Sequence, residues 1–182
     1  MASVITVLAD GFEEVEAVTC IDLLRRAHVD VTVLGLDSLE IRGAHNIRIR
    51  ADLQFKDFSD QFDALVLPGG MPGTNNLASS EMLIEMIKRA HSQGKICAAI
   101  CAAPTVLARA GILTGKKVAC YPGFEDRLMG GEPVKEPVVV DDTIITSRGV
   151  GTAIPFSLKL ISTLKDKETA ATVSSAILHS PE

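Results

Sequence analysis

Short unbroken apolar runs, alternating with amphipathic stretches, constrain this chain more than any other feature. Ser3 to Ala9 is β-branched and almost wholly apolar, the pattern of a strand buried on both faces of a parallel sheet. EEVEAVTCIDLLRRA follows, placing Val15, Val18, Ile21 and Leu24 on one helical stripe and three carboxylates in the first turn, where the helix dipole favours them. Val29 to Leu36 is a second buried run, so the chain opens with a βαβ unit whose crossover is right-handed.

The rhythm pauses between Leu39 and Ala51, where weak alternation around Gly43 and Asn46 predicts a small hairpin. It resumes with a strand from Phe62 to Leu67 that ends at Pro68-Gly69-Gly70. A helix from Glu81 to Ser92 comes next, capped by Ser80 and stopped by Gly94. Lys95 to Ile100 is the next strand, and Pro104 opens a helix that ends near Gly111. Short strands are expected at Lys117 to Cys120, Val138 to Val140 and Thr143 to Thr146. Amphipathic helices are expected near Thr152 to Leu164 and Lys167 to Leu178. With 182 residues and no linker or repeat, this reads as one domain over 1–182, an α/β flavodoxin-like three-layer sandwich with a mostly parallel central sheet.

Ligands of such sheets bind beyond the carboxyl ends of the strands. Three groups lie at those ends and should share one crevice: Asp10 to Glu16, Pro68 to Gly73, and Cys101 to Pro104. Cys101 ends an apolar strand and is followed by Ala102-Ala103-Pro104, so the chain turns sharply into a helix with only small side chains around the thiol. That arrangement predicts a strained elbow that aims the sulfur into the crevice. The nearby helix N-terminus is expected to lower its pKa. Cys20 on the helix and Cys97 inside a strand are expected to be inert buried thiols, whereas Cys120 beside Tyr121 is a second candidate for oxidation.

Of the carboxylates opening the first helix, Glu13 and Glu14 are read as solvated. Glu16, if it points into the crevice, can keep its proton and donate a hydrogen bond to the thiolate. Gly69 and Gly70 allow backbone amides to approach a substrate oxygen, and with the amide of Ala102 they can form an oxyanion hole.

Other chemistries find no footing. The net charge of −5 argues against a nucleic-acid surface. No apolar run reaches the length of a membrane span, and the start lacks a basic leader, so the expected location is cytoplasmic. The four cysteines form no C-x-x-C pair and the histidines at 28, 45, 91 and 179 are scattered, so neither a disulfide scaffold nor a metal site is expected. Gly111 to Lys116 lacks the spacing of a phosphate or dinucleotide loop, and no cofactor is expected.

With these residues placed, the chain resembles the ThiJ/PfpI superfamily, in the branch of the Parkinson-associated protein deglycase and its bacterial relatives. ADGFEEVEAV at 9–18, LPGGMPGTNNL at 67–77, AAICAAPTVLA at 98–108 and TSRGVGTA at 146–153 carry the likeness. The resemblance implies a homodimer in which Cys101 is paired with a protonated Glu16 and the amides of Gly70 and Ala102 bind the oxyanion. It also implies a cofactor-independent glyoxalase or deglycase acting on small reactive 2-oxoaldehydes or glycated adducts in stress protection. The alternative is a redox-sensing, chaperone-like dimer whose cysteine becomes a sulfinate, and other branches imply an intracellular cysteine peptidase. The chain departs from the pattern at Tyr121, which stands where the family has a histidine and is the catalytic candidate in its place, able to donate a hydrogen bond but a poorer proton shuttle. The family dimer brings the segment after the second strand towards the partner's site, which makes His45 a candidate contributed across the dimer. Arg26 and Arg148 are candidates for drawing anionic groups to the pocket, which Gly69 is also expected to line.

Overall fold

The computed structural model describes residues 2–59 and 61–179. Its first strand, β1 (Ser3–Leu8), lies in the interior of a seven-stranded sheet because it is largely apolar on both faces. Val4 and Leu8 pack towards one helical layer, and Ile5 and Val7 towards the other. The helix α1 (Glu14–Arg26) crosses over to β2 (Asp30–Gly35), which pairs parallel with β1, Val4 opposite Val31. The expected hairpin forms as β3 (Glu40–Arg42) and β4 (Arg48–Arg50), antiparallel, with Asn46 at a φ of 69° in its turn. β5 (Leu53–Gln54) completes that side of the sheet beside β2.

The chain then returns past β1. β6 (Ala64–Leu67) pairs parallel with the other edge of β1, and the split between β1 and β6 is the topological switch point of the sheet. A seven-residue helix, α2 (Gly73–Ser79), precedes α3 (Glu81–Ser92). The sequence pattern gives no sign of α2, because GTNNLAS is short and poor in helix formers. Ser80 caps α3 by accepting from the amide of Leu83 at 3.3 Å, and Gly94 beyond it has a φ of 72°. β7 (Ile96–Ile100), α4 (Pro104–Arg109), β10 (Val138–Asp141) and β11 (Ile144–Ser147) follow. Between α4 and β10, the strand expected over Lys117 to Cys120 shortens to β8 (Lys117–Val118). It leaves the central sheet to pair with β9 (Glu132–Pro133). The sheet order is β10-β11-β7-β6-β1-β2-β5, parallel except for the edge strand β10.

The helices α1, α5 (Ala153–Leu164) and α6 (Lys167–Ala176) cover one face of the sheet, and α2, α3 and α4 cover the other. The fold is therefore an α/β sandwich around a mostly parallel sheet. One detail of α1 differs from its apolar pattern. Val15 and Val18 are 49% and 48% exposed, and the buried face is Glu16, Ala17, Cys20, Ile21 and Leu24. The helix is rotated so that a carboxyl group, not a valine, points inward from its first turn. No helix among the described residues is long and apolar enough to cross a membrane.

Candidate active site

Four strand ends converge at the switch point. Cys101, immediately after β7, has a φ of 65°, in the left-handed region that a residue with a Cβ rarely occupies. Its backbone is fixed from both sides: its amide donates to the carbonyl of Ser147 at 3.0 Å, and its carbonyl accepts from the amide of Tyr121 at 2.8 Å. The elbow read from the small residues and Pro104 is present, with Pro104 in the first turn of α4.

Glu16 is 1% exposed. Its Oε2 accepts from the amide of Gly69 at 2.8 Å, and its Oε1, also buried, has no hydrogen-bond partner among the described residues. Burial raises the Glu16 pKa from its ordinary 4.5 to about 7, helped by the charge of nearby Glu13 and opposed by the Gly69 amide and Cys101. At neutral pH the group is therefore an acid for much of the time, with a proton to donate.

The sulfur responds to that proton. Burial pushes the Cys101 thiol up to about 12, assisted by an ionised Glu16 and the hydrogen bond to it. The amides of Gly70 and Ala102, hydrogen-bonded to the sulfur, pull the other way. The helix N-terminus is expected to lower this pKa, but α4 has only six residues and desolvation is the largest influence, in the opposite direction. When Glu16 holds its proton, its charge is gone and its hydroxyl can donate to sulfur, so one upward influence disappears and a second changes sign. Acid at Glu16 favours thiolate at Cys101, and carboxylate there opposes it.

Gly69 plays a different part from the one expected. Its amide is occupied by Glu16, and a Cβ built on it would fall 2.6 Å from the Cys101 Cβ. It supports the pair from behind, while Gly70 and Ala102 supply the amides that face the sulfur.

The crevice over Cys101 has a volume of about 560 Å³ and is bordered by Glu13, Glu16, Tyr121, Phe124, Arg148 and the loop from Gly149 to Thr152. Tyr121 is half-exposed there, its ring edge-on to Phe124 at 6.4 Å. Arg148, partly buried after β11, lowers the pKa values of Cys120 and Glu125 by its charge; burial and Glu125 nevertheless push Cys120 up to about 11. Burial likewise pushes Cys20 and Cys97 up to about 12. Arg26 does not join the site: it lies on the last turn of α1, about 15 Å along the helix from Glu16. There it is paired with Asp22 at 2.7 Å.

The two remaining carboxylates are not the solvated pair expected. Glu14 is 4% exposed and accepts from the His45 amide at 2.6 Å, the His45 ring Nδ1 at 2.9 Å and the Ile47 amide at 3.4 Å. Burial works against its charge, but these donors prevail and lower its pKa. Glu13 borders the crevice, its carboxylate 13% exposed and its Oε2 3.7 Å from His45 Nδ1. His45 thus engages the first turn of α1 in its own chain. A carboxylate oxygen each of Glu13 and Glu14 and a ring nitrogen of His45 lie within 4.8 Å of one another, a grouping that sequence spacing did not suggest. Sequence reasoning missed Glu13 and the Gly149 to Thr152 loop. Only the TSRGVGTA motif hinted at the latter.

The sequence matches the family model described as the DJ-1/PfpI family over residues 2–163. It is 39% identical over 180 residues to protein dj-1beta of Drosophila melanogaster, covering 97% of this chain and 96% of that one. The crystal structure of that Drosophila protein superposes with a TM-score of 0.96 over 99% of both chains, at 38% identity. The oxidized DJ-1 of Toxoplasma gondii gives a TM-score of 0.95 over the whole of both chains, at 36% identity. A protein of Caenorhabditis elegans named glutathione-independent glyoxalase DJR-1.2 is 35% identical over 159 residues, covering 86% of this chain and 84% of that one.

Proposed function

The chain belongs to the DJ-1/PfpI family, and on that premise we propose that it is a cysteine-dependent, cofactor-independent enzyme. Its substrates are reactive 2-oxoaldehydes or their adducts, in the manner of a glyoxalase or deglycase. The observation that carries this reading is the coupling at the elbow: a strained Cys101 with two amides on its sulfur and a buried Glu16 whose pKa is raised to about 7. In this reading Glu16 gives the thiol an acidic partner, and the thiolate adds to the aldehyde carbon. The amides of Gly70 and Ala102 then hold the oxyanion that forms. The C. elegans relative named as a glyoxalase supports the substrate class.

Val15 and Val18 on α1 and Ile47 beside the hairpin are exposed apolar side chains, and in this proposal a second copy covers them to form a homodimer. The test is incubation with methylglyoxal, with lactate followed by NMR. The wild type is expected to form lactate and Cys101→Ala to form none. Tyr121 supports a second reading, a redox-sensing dimer: a phenol is a poor proton shuttle in place of the family histidine, while oxidation of Cys101 to sulfinate needs no shuttle. An absence of lactate together with ready sulfinate formation by peroxide selects it.

A further inference from the structure

Turnover of a 2-oxoaldehyde, on the reading above, requires more than a nucleophile. After thiolate addition at C1, a base must take the C1 proton and a proton must be returned at C2. The ionisable groups bordering the crevice are Glu13, Glu16, Cys101, Tyr121 and Arg148. Cys101 is the nucleophile, and Glu16, tied to the Gly69 amide and with its pKa raised, enters the cycle as an acid and not as the base. Phenols and guanidinium groups hold their protons at neutral pH. Glu13 is what remains.

We propose that Glu13 is the general base of this site and that His45 of the same chain positions it and exchanges its proton with solvent. Glu13 borders the crevice, and its Oε2 lies 3.7 Å from His45 Nδ1. Its amide donates to the Gly69 carbonyl at 2.9 Å, and a Cβ on Gly70 would strike that amide at 2.4 Å, so the turn is held tightly against the loop after β6.

The hairpin is built to bring His45 there. Gly11 donates to the Arg42 carbonyl, the Arg42 amide to Asp10 Oδ1, Ala44 to the Phe12 carbonyl and His45 to Glu14 Oε1, all between 2.6 and 2.8 Å. Gly43 is required, because a Cβ there would fall 2.2 Å from the Glu14 carboxylate. The His45 side chain is 70% exposed in the single chain, giving the outer end of a relay. Its pKa is raised, first by the hydrogen bond to Glu14 and then by the charges of Glu13 and Glu14. The charged and titratable groups facing Glu13 are Glu14 and Glu16 from α1, His45 from the hairpin, Cys101 after β7, and Tyr121 and Arg148 around the crevice.

The step balances without an oxidant. Glu16 first gives its proton to the C1 oxyanion, forming the hemithioacetal. Glu13 removes the C1 proton, the electron pair moves into a C1=C2 enediolate, and the C1 hydroxyl proton passes by way of Glu16 to the C2 oxygen. Glu13 then returns its proton to C2, leaving a thioester and an ionised Glu16. Water cleaves the thioester to lactate, frees the thiolate and returns a proton to Glu16.

The test compares lactate formation from methylglyoxal with alkylation of Cys101 by iodoacetamide. Glu13→Gln is expected to lower kcat by about 100-fold or more, the scale of a lost general base, with the alkylation rate little changed. His45→Gln is expected to lower kcat by about tenfold, with KM and the alkylation rate little changed, because Glu13 then loses its route for exchanging the proton with solvent. Turnover by Glu13→Gln within about threefold of the wild type, or a parallel loss of alkylation, overturns the assignment of the base. A His45→Gln kcat within about threefold of the wild type, or a loss confined to KM, overturns the relay, and because the His45 side chain is exposed in this chain, that variant still reads the relay if Glu13→Gln does not fold. A wild type that forms no lactate overturns the glyoxalase reading and the relay together, whereas an active wild type with an active Glu13→Gln overturns the base alone.

Discussion

Substituting Glu16 by Gln tests the buried acid directly. The folded chain holds the carboxyl at a pKa of about 7, against an ordinary 4.5, a difference worth about 3 kcal/mol at about 1.4 kcal/mol per decade. Because the folded value is the higher one, the folded state prefers the protonated group. Below about pH 4.5 both states are protonated and Glu16 costs nothing; as pH rises towards about 7 the unfolded chain ionises first and stability falls, and beyond that the cost is complete. Glutamine cannot ionise, so it escapes this loss while nearly keeping the shape.

To isolate Glu16 from the thiol, both proteins carry Cys101→Ser. Urea unfolding at equal protein concentration then gives the stability difference, variant minus parent. A constant offset is expected below about pH 4.5, with a gain for the glutamine variant that grows to about 3 kcal/mol near pH 8. That is about 6 to 12 °C in melting temperature for a chain of this size. The offset reports lost or altered hydrogen bonds, so only the slope bears on the argument. A difference that stays flat from about pH 4.5 to 8 refutes a carboxyl held protonated by burial.

Two further outcomes follow from the same geometry. At neutral pH, Glu16→Leu is expected to alkylate at Cys101 at least about tenfold more slowly than Glu16→Gln. Leucine leaves only the amides of Gly70 and Ala102 to oppose burial, whereas the glutamine amide can still donate to the thiolate; equal rates from iodoacetamide kinetics contradict the dependence of thiolate on Glu16. Gly43→Ala is expected to lose about 1 to 3 kcal/mol in urea titration, because its Cβ would overlap the Glu14 carboxylate that anchors the hairpin.

Much of this protein is written locally. Ser3 to Leu8, Ala64 to Leu67 and Ile96 to Ile100 are apolar on both faces, and a strand of that kind has nowhere to lie except inside a covered parallel sheet. The positions of strand ends follow, and with them the crevice. Cys101 was legible because the signals of an elbow, a strand end followed by small residues and a proline, are contiguous in the chain.

What depended on tertiary structure was the partner of each polar group. Val15 and Val18 continue the apolar stripe of α1, yet the rotation that buries Glu16 leaves both valines outside. Arg26 shares a helix with Glu16, but the helix carries it away from the crevice. The amide of Gly69 holds Glu16, a contact between residues 53 positions apart, and Glu13, Glu14 and His45 meet only when the hairpin folds back on α1.

The acidity of Cys101 belongs to the same class. The sequence by itself determined that a thiol stands at a strained strand end, because backbone conformation answers to nearest neighbours. Whether that thiol ionises was decided by desolvation and by one proton on Glu16, and both are properties of a three-dimensional surrounding that no stretch of residues near Cys101 encodes.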